Sequence, residues 1–277
     1  MRFKTICAAL SAFALAGSLG VATAQQNPNA DANQATQNSS ANSDQANANT
    51  GASESISPAE QTRLAYSAAG LLRGQMVVDA DQQIPQSIVQ HARCIAVFPG
   101  VFKAGVIFAG SHGDGIVSCR DDGGDWNAPA YFNLSAGSVG LQAGAKVTQL
   151  LVLFMTPSAV NELMNGNFKF GGTIGVAAGP VGLHANVHTL PAATLAYKLD
   201  QTGAFAGAEI KGTTISADQS ATSKIYGPNT SIKQVLFSRN QVPDRLQVFN
   251  EVLSMYAPAQ QYARNELQVK QQSQTAK

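Results

Sequence analysis

The sequence predicts an α+β fold: a curved, largely antiparallel, glycine-rich β-sheet with flanking N- and C-terminal helices. Three observations lead there. Apolar residues recur at helical spacing near the start and near the end of the segment 58–257. Between them the chain divides into short β-rich runs separated by glycine and aspartate. All 22 glycines of that segment lie between Gly70 and Gly227, about twice the average density. Glycine inside strands weakens a sheet, so this abundance predicts bulges, sharp bends or close backbone approach.

The elements follow in chain order. Ser57-Pro58-Ala59-Glu60 is a helix start, with serine as N-cap, proline in the first turn and glutamate three residues after the cap. Leu64, Ala68, Leu71, Leu72 and Met76 then recur on one face, and Arg73 falls on the opposite side from Leu64. A second short helix is expected near Pro85, burying Ile88, Val89 and Ala92. Cys94 to Phe98 reads as a strand closed by Pro99-Gly100. Ala104–Ala109 and Gly115–Cys119 read as two further strands joined by a Gly110-Ser-His-Gly-Asp-Gly loop. Asp121-Asp-Gly-Gly-Asp125 is a polar turn; Tyr131-Phe132, Val139–Leu141 and Val147–Met155 continue the strands. Pro157–Asn165 is a short helix, the stretches 168–180 and 204–216 are glycine-rich strand, and Asp244–Tyr256 is the closing helix.

Outside this segment the composition changes. Arg2 and Lys4, the apolar run Ile6–Val21 and Ala22-Thr23-Ala24 form an export signal over residues 1–24. Residues 25–57 contain no Lys, Arg or aromatic residue, and such a stretch cannot bury enough apolar area to offset its ordering entropy, so it reads as a disordered tether. Residues 258–277 are a polar, partly helical tail. The expected location is therefore outside the cytoplasm, in the periplasm or at the outer membrane. The whole chain carries 18 Lys+Arg against 17 Asp+Glu, too even a balance for a nucleic-acid binder. After removal of Arg2 and Lys4 the balance is 16 against 17, so any attraction to an anionic surface must come from a local patch.

Several ordered motifs are ARCIAVFPGVFKAG at 92–105, GIVSCR at 115–120, DWNAPAYFNLSAGSVGLQAG at 125–144, LLVLFM at 150–155, GVAAGPVG at 175–182 and FAG at 205–207. Together they resemble the SYLF domain, a lipid-binding family also described as actin-binding from its fungal members. The resemblance implies a non-enzymatic module that binds membrane phospholipids, phosphoinositides in eukaryotic members, with an amphipathic helix at the domain start taking part. Pro58 to Val78 occupies that place here, with Arg63 and Arg73 as its cations. Phospholipid or a membrane surface is the expected partner. A protein partner stands as the alternative, for a structural or assembly protein of the cell envelope, and actin is not expected.

Cys94 and Cys119, an even pair at the ends of neighbouring β-runs in an exported chain, predict a disulfide; two buried thiols are the alternative. Phe98-Pro-Gly-Val-Phe-Lys103 predicts an exposed turn that sets the Phe102 ring and the Lys103 ammonium at headgroup level, flanked by Arg93 and Arg120. The alternative places Phe98 and Phe102 in the core. No catalytic residue, cofactor or metal is expected. Ala136-Gly-Ser138-Val-Gly140 is a variant nucleophile elbow, but glycine-rich alternation follows it where a helix is required. His184 and His188 lack a third ligand, Asp121, Asp122 and Asp125 lack calcium-loop spacing, and no helix follows Gly171–Gly179 to receive a phosphate.

Overall fold

The computed structural model describes residues 56–105, 108–139, 144–171, 176–178, 192–199, 212–238, 241–259, 267–268, 271–272 and 274. The predicted α+β class holds: among the described residues the strands form one curled sheet in the order β5-β8-β3-β2-β1-β4-β7-β6, accompanied by six helices. The strands are β1 (Cys94–Gly105), β2 (Phe108–Cys119), β3 (Ala130–Val139), β4 (Gly144–Phe154), β5 (Asn167–Lys169), β6 (Val176–Ala178), β7 (Thr194–Leu199) and β8 (Thr214–Ala217). Every pairing is antiparallel except β6 with β7. The calls at His184, His188 and Phe205–Gly207 lie outside the described residues.

Helix α1 (Pro58–Gln75) begins as expected. The Glu60 amide donates to Ser57 Oγ at 3.3 Å and the Ser57 amide donates to Glu60 Oε2 at 2.8 Å, a complete capping box. Its buried stripe is centred on Ala65, Ala68, Ala69 and Leu72, while Leu64, Leu71 and Met76 pack only partly buried along its edges. Small residues occupy the centre because α1 lies chiefly against α6 (Asp244–Tyr256), where alanines allow close approach. Gln61 sits within this interface and donates to the carbonyl of Ala221 at 2.7 Å, tying α1 to α4 (Gln219–Tyr226). Helix α2 (Gln86–His91) buries Ile88 and Val89 as expected, and Thr156 caps α3 (Pro157–Met164). Helices α4 and α5 (Ile232–Ser238) and strand β7 were not predicted from sequence.

The first hairpin departs from expectation. Pro99-Gly100 does not end a strand; it is a bulge inside β1, where the register slips between Val97 and Phe102 against β2 and between Phe98 and Val101 against β4. Nor is Gly110–Gly115 a loop: it runs within β2, which pairs with β1 from Gly105 opposite Ala109 to Cys94 opposite Cys119. Packing explains why glycines sit there. A Cβ on Gly115 would stand 2.3 Å from Cδ1 of the buried Phe98, and one on Gly113 would stand 2.9 Å from the Gly100 carbonyl oxygen in the bulge. Glycine at these two points admits the neighbouring strand, which is close approach and not turn chemistry.

At the disulfide end of the strands both sheet faces are covered. Every residue of Cys94–Phe98 and of Leu150–Phe154 is buried. Past the bulge the four central strands continue as a more exposed end.

Candidate functional site

The exposed sheet end consists of β1 after the bulge, the first half of β2, the last half of β3 and the first half of β4. Register places Phe102 opposite His112 on one side and Val147 on the other, and His112 opposite Ser135. Residues directly opposite in a ladder share a face. Phe102 is 51% exposed and Val147 61%, so an aromatic and a β-branched side chain stand together in solvent. Phe98, by contrast, is fully buried, and the expectation that treated the two phenylalanines alike splits between them. Lys103, half-buried, follows Phe102 by one residue and therefore projects from the opposite face, where the register sets it against Lys146. The predicted exposed turn is thus a strand that sets Phe102 and Lys103 on opposite faces.

Helix α1 borders the apolar face. Arg63, Ser67, Pro99, Gly100 and Asp114 line one shallow groove beside it, and Ser67, Gly70, Gly74, Pro99 and Gln149 line another. Gln149 and Val147 share a face of β4, as Asp114 and His112 share a face of β2, so α1 covers the face that Phe102 occupies and stops short of it. Arg63, Tyr66 and Arg73 are exposed on α1.

Asp114 and His112 approach at 3.5 Å. Burial raises the carboxyl of Asp114 above its ordinary value, the charge of His112 opposes that rise, and Asp218 and Glu60 add to it. Glu60 lies on the other side of its ordinary value: the backbone amide of Ser57 holds it low.

Arg93 and Arg120 do not flank Phe102. They sit at the far end of β1 and β2, roughly 25 Å along the strand from Phe102 at the usual rise per residue. Arg120 is moreover buried. Its guanidinium donates to the carbonyls of Ala92 at 3.1 Å, of Gly124, and of Ala257 at 2.7 Å, and it stacks 4.0 Å from the centroid of Trp126. Ala257 caps the C-terminus of α6, where a cation meets the negative end of the helix dipole. Trp126 Nε1 donates to the same carbonyl at 2.9 Å. Arg120 is a clasp between the Asp121–Asp125 turn and α6, and its assignment to a lipid surface is withdrawn. The adjacent Cys94 and Cys119 are bonded and sit directly opposite in register, with their Cα atoms 4.0 Å apart.

The remaining chemical motifs occupy ordinary positions. Ser138 lies in β3, opposite Ala109, with no helix following it as a nucleophile elbow needs. Asp121 closes its own turn, donating its amide to the Asp125 carbonyl and accepting the Asp125 amide at Oδ1. Among the described residues no group of His, Cys, Asp and Glu could hold a metal, and no helix is long and apolar enough to cross a membrane. Sequence reasoning missed Val147 as an exposed residue. The signal was available: in a strand whose continuation, Leu150–Phe154, is wholly apolar, Val147 is separated from the core run by Thr148 and Gln149.

The described residues thus form an α+β domain with an uncovered sheet end and a flanking helix. The family profile described as "Ysc84: Las17-binding protein actin regulator" matches residues 135–256. The LAS seventeen-binding protein 3 of Saccharomyces cerevisiae is 29% identical over 205 residues, covering 72% of this chain and 44% of the yeast protein. Protein YSC84 of the same yeast is 29% identical over 191 residues, 67% of this chain and 40% of that protein. The human SH3 domain-containing YSC84-like protein 1 is 27% identical over 179 residues, 64% and 52% respectively. Over residues 135–256, and along the stretches matched by these relatives, the chain is similar to the SYLF, or Ysc84, family. It spans about half or less of the length of these relatives.

Proposed function

We propose that this is an exported phospholipid-binding protein that adsorbs to anionic membrane surfaces through the exposed end of its sheet, with no bond-making step. The observation that carries the proposal is Phe102 beside Val147 in solvent, with Lys103 on the reverse face and Arg63 on the adjoining helix. A sheet end entering the interface edge-on sets the apolar pair at the acyl boundary while the cations meet headgroup phosphates. Burying the exposed apolar portions adds about 1–2 kcal/mol for the ring and about 1 for valine, and each cation adds about 1 near an anionic leaflet. The sum, of order 4–5 kcal/mol, corresponds to weak, reversible association. Export rests on the leader pattern of residues 1–24.

Flotation with phosphatidylglycerol and phosphatidylcholine vesicles is the test. Retention on the anionic vesicles, lost at high salt and weakened at least tenfold by Phe102→Ser with Lys103→Glu, is expected. Absence of retention on any vesicle, or undiminished binding by the variant, would overturn the proposal. The Las17-binding description of the yeast relatives favours a second reading, a protein partner in an assembly, and a specific pull-down without vesicle retention would establish it.

A further inference from the structure

At the disulfide end of the sheet, far from Phe102, lies an open cleft of about 1140 Å³, somewhat above the roughly 300–1,000 Å³ of small-molecule sites. Its walls come from separate parts of the sequence: the start of β1, the Asp121 turn, α3, α5 and Leu267 of the tail. Apolar surface is supplied by buried Cys94 and Val160 and by half-buried Met164 and Phe237. At the rim stand Arg93 and exposed Lys233, with the amides of Asn161 and Asn165 on α3. Two carboxylates also line it. Asp121 is engaged by the Asp125 amide in its own turn, and Asp122 is exposed to water. With the clasp arginine behind the wall, the local charge is positive.

We infer that this cleft is a binding site for a single-chain amphipathic anion, an alkyl chain ending in a carboxylate or phosphate, held by Arg93 and Lys233 at its head and by Val160, Met164 and Phe237 along its chain. The site is independent of the sheet-end surface. A bilayer patch is flat, whereas this cleft takes one molecule in, and its specificity is for chain length and head charge together. Each added pair of methylenes should tighten binding on the order of tenfold.

Titration calorimetry on the full chain, with decanoate, dodecanoate and dodecyl phosphate below their micelle concentrations, tests the site. Saturable one-to-one binding is expected, roughly tenfold tighter for dodecanoate than decanoate, and at least fivefold weaker for neutral monodecanoyl glycerol. The two anionic probes separate a fatty acid from a phosphate-headed lipid. Met164→Trp, which partly fills the cleft along the path of the alkyl chain, should weaken binding at least tenfold, and Lys233→Glu at least threefold; Asn161→Trp, at an exposed lining position, replaces M164W if that variant does not fold. Met164→Trp should still float with anionic vesicles, and F102S/K103E should still bind decanoate, so the two proposals fail separately. Absence of saturable binding, no preference for the anionic head, or a filled cleft that binds as the parent does would overturn the inference.

Discussion

The two ends of the same four strands obey different rules. From Cys94 to Phe98 and from Leu150 to Phe154 no residue reaches solvent, although successive side chains point to opposite faces. A strand that is apolar throughout can only be buried on both sides, and helices α1, α4 and α5 pack on these central strands. Beyond the Pro99-Gly100 bulge the same strands carry Lys103, Ser111, His112, Thr148 and Gln149, and Phe102 and Val147 stand in solvent although Val101 beside them stays buried. One end of the sheet is built for stability, the other for contact. The bulge marks the border, since it shifts register against both neighbours at once.

If that division is real, the largest losses of stability must come from the covered end. Arg120→Met removes charge-assisted bonds to three backbone carbonyls and the stacking on Trp126, leaving buried acceptors short of donors. A loss of about 3–5 kcal/mol is expected, a fall in melting temperature on the order of 10–15 °C for a domain of this size. Thermal and denaturant melts measure it. A variant that melted with the parent would show that the clasp does not hold α6 to the turn.

Next comes the disulfide. Cys94 and Cys119 are 25 residues apart, and on the chain-entropy estimate opening that loop costs about 3–4 kcal/mol. Cys94→Ala with Cys119→Ala should therefore melt well below the oxidised parent, and reductant should no longer change its midpoint. Because both sulfurs are buried, reduction of the parent should be slow without denaturant. Equal midpoints with and without reductant in the parent would contradict this.

How much of the division was legible beforehand depends on what kind of signal each residue carries. The capping box at Ser57 and Glu60 and the Thr156 start of α3 are local, and both were read or bracketed from sequence. The disulfide pairing followed from two cysteines at the ends of adjacent runs. The glycines of β2 misled, because in sequence a glycine that admits a neighbouring phenylalanine looks the same as one that turns the chain. That misreading brought Arg93 and Arg120 beside Phe102. Arg120 itself could not be read: its partners include Ala257 more than a hundred residues away, and a buried arginine satisfied by backbone carbonyls has no local mark. Helices α4 and α5 are short and owe their stability to packing, so periodicity barely reports them.

At the uncovered end the expected order of effects is inverted. Phe102→Ser with Val147→Ser removes two exposed side chains and should change stability by no more than about 0.5 kcal/mol, while vesicle retention falls at least tenfold. Paired melts and flotation on one preparation decide it. A large drop in melting temperature would mean that this end is packed against something and that the division is misplaced.

The smallest effect tests the border itself, where Asp114 sits beside α1. Burial raises its carboxyl, so the folded chain holds the proton more tightly than the unfolded chain does. The sign follows: its contribution favours folding below the ordinary carboxylate range and is lost as pH rises through the raised value. Glu60 runs the other way, since the Ser57 amide lowers it; its contribution is present above the ordinary range and is lost as pH falls through the lowered value. Asp114→Asn should remove the first dependence and leave the second. At neutral pH the variant should melt higher, by an amount on the order of 1–2 °C after allowing for the partial exposure of the side chain, and its advantage over the parent should vanish toward pH 4. A variant that melted below the parent at neutral pH would mean that attraction by His112, and not burial by α1, governs Asp114, and would place the border of the covered region short of β2.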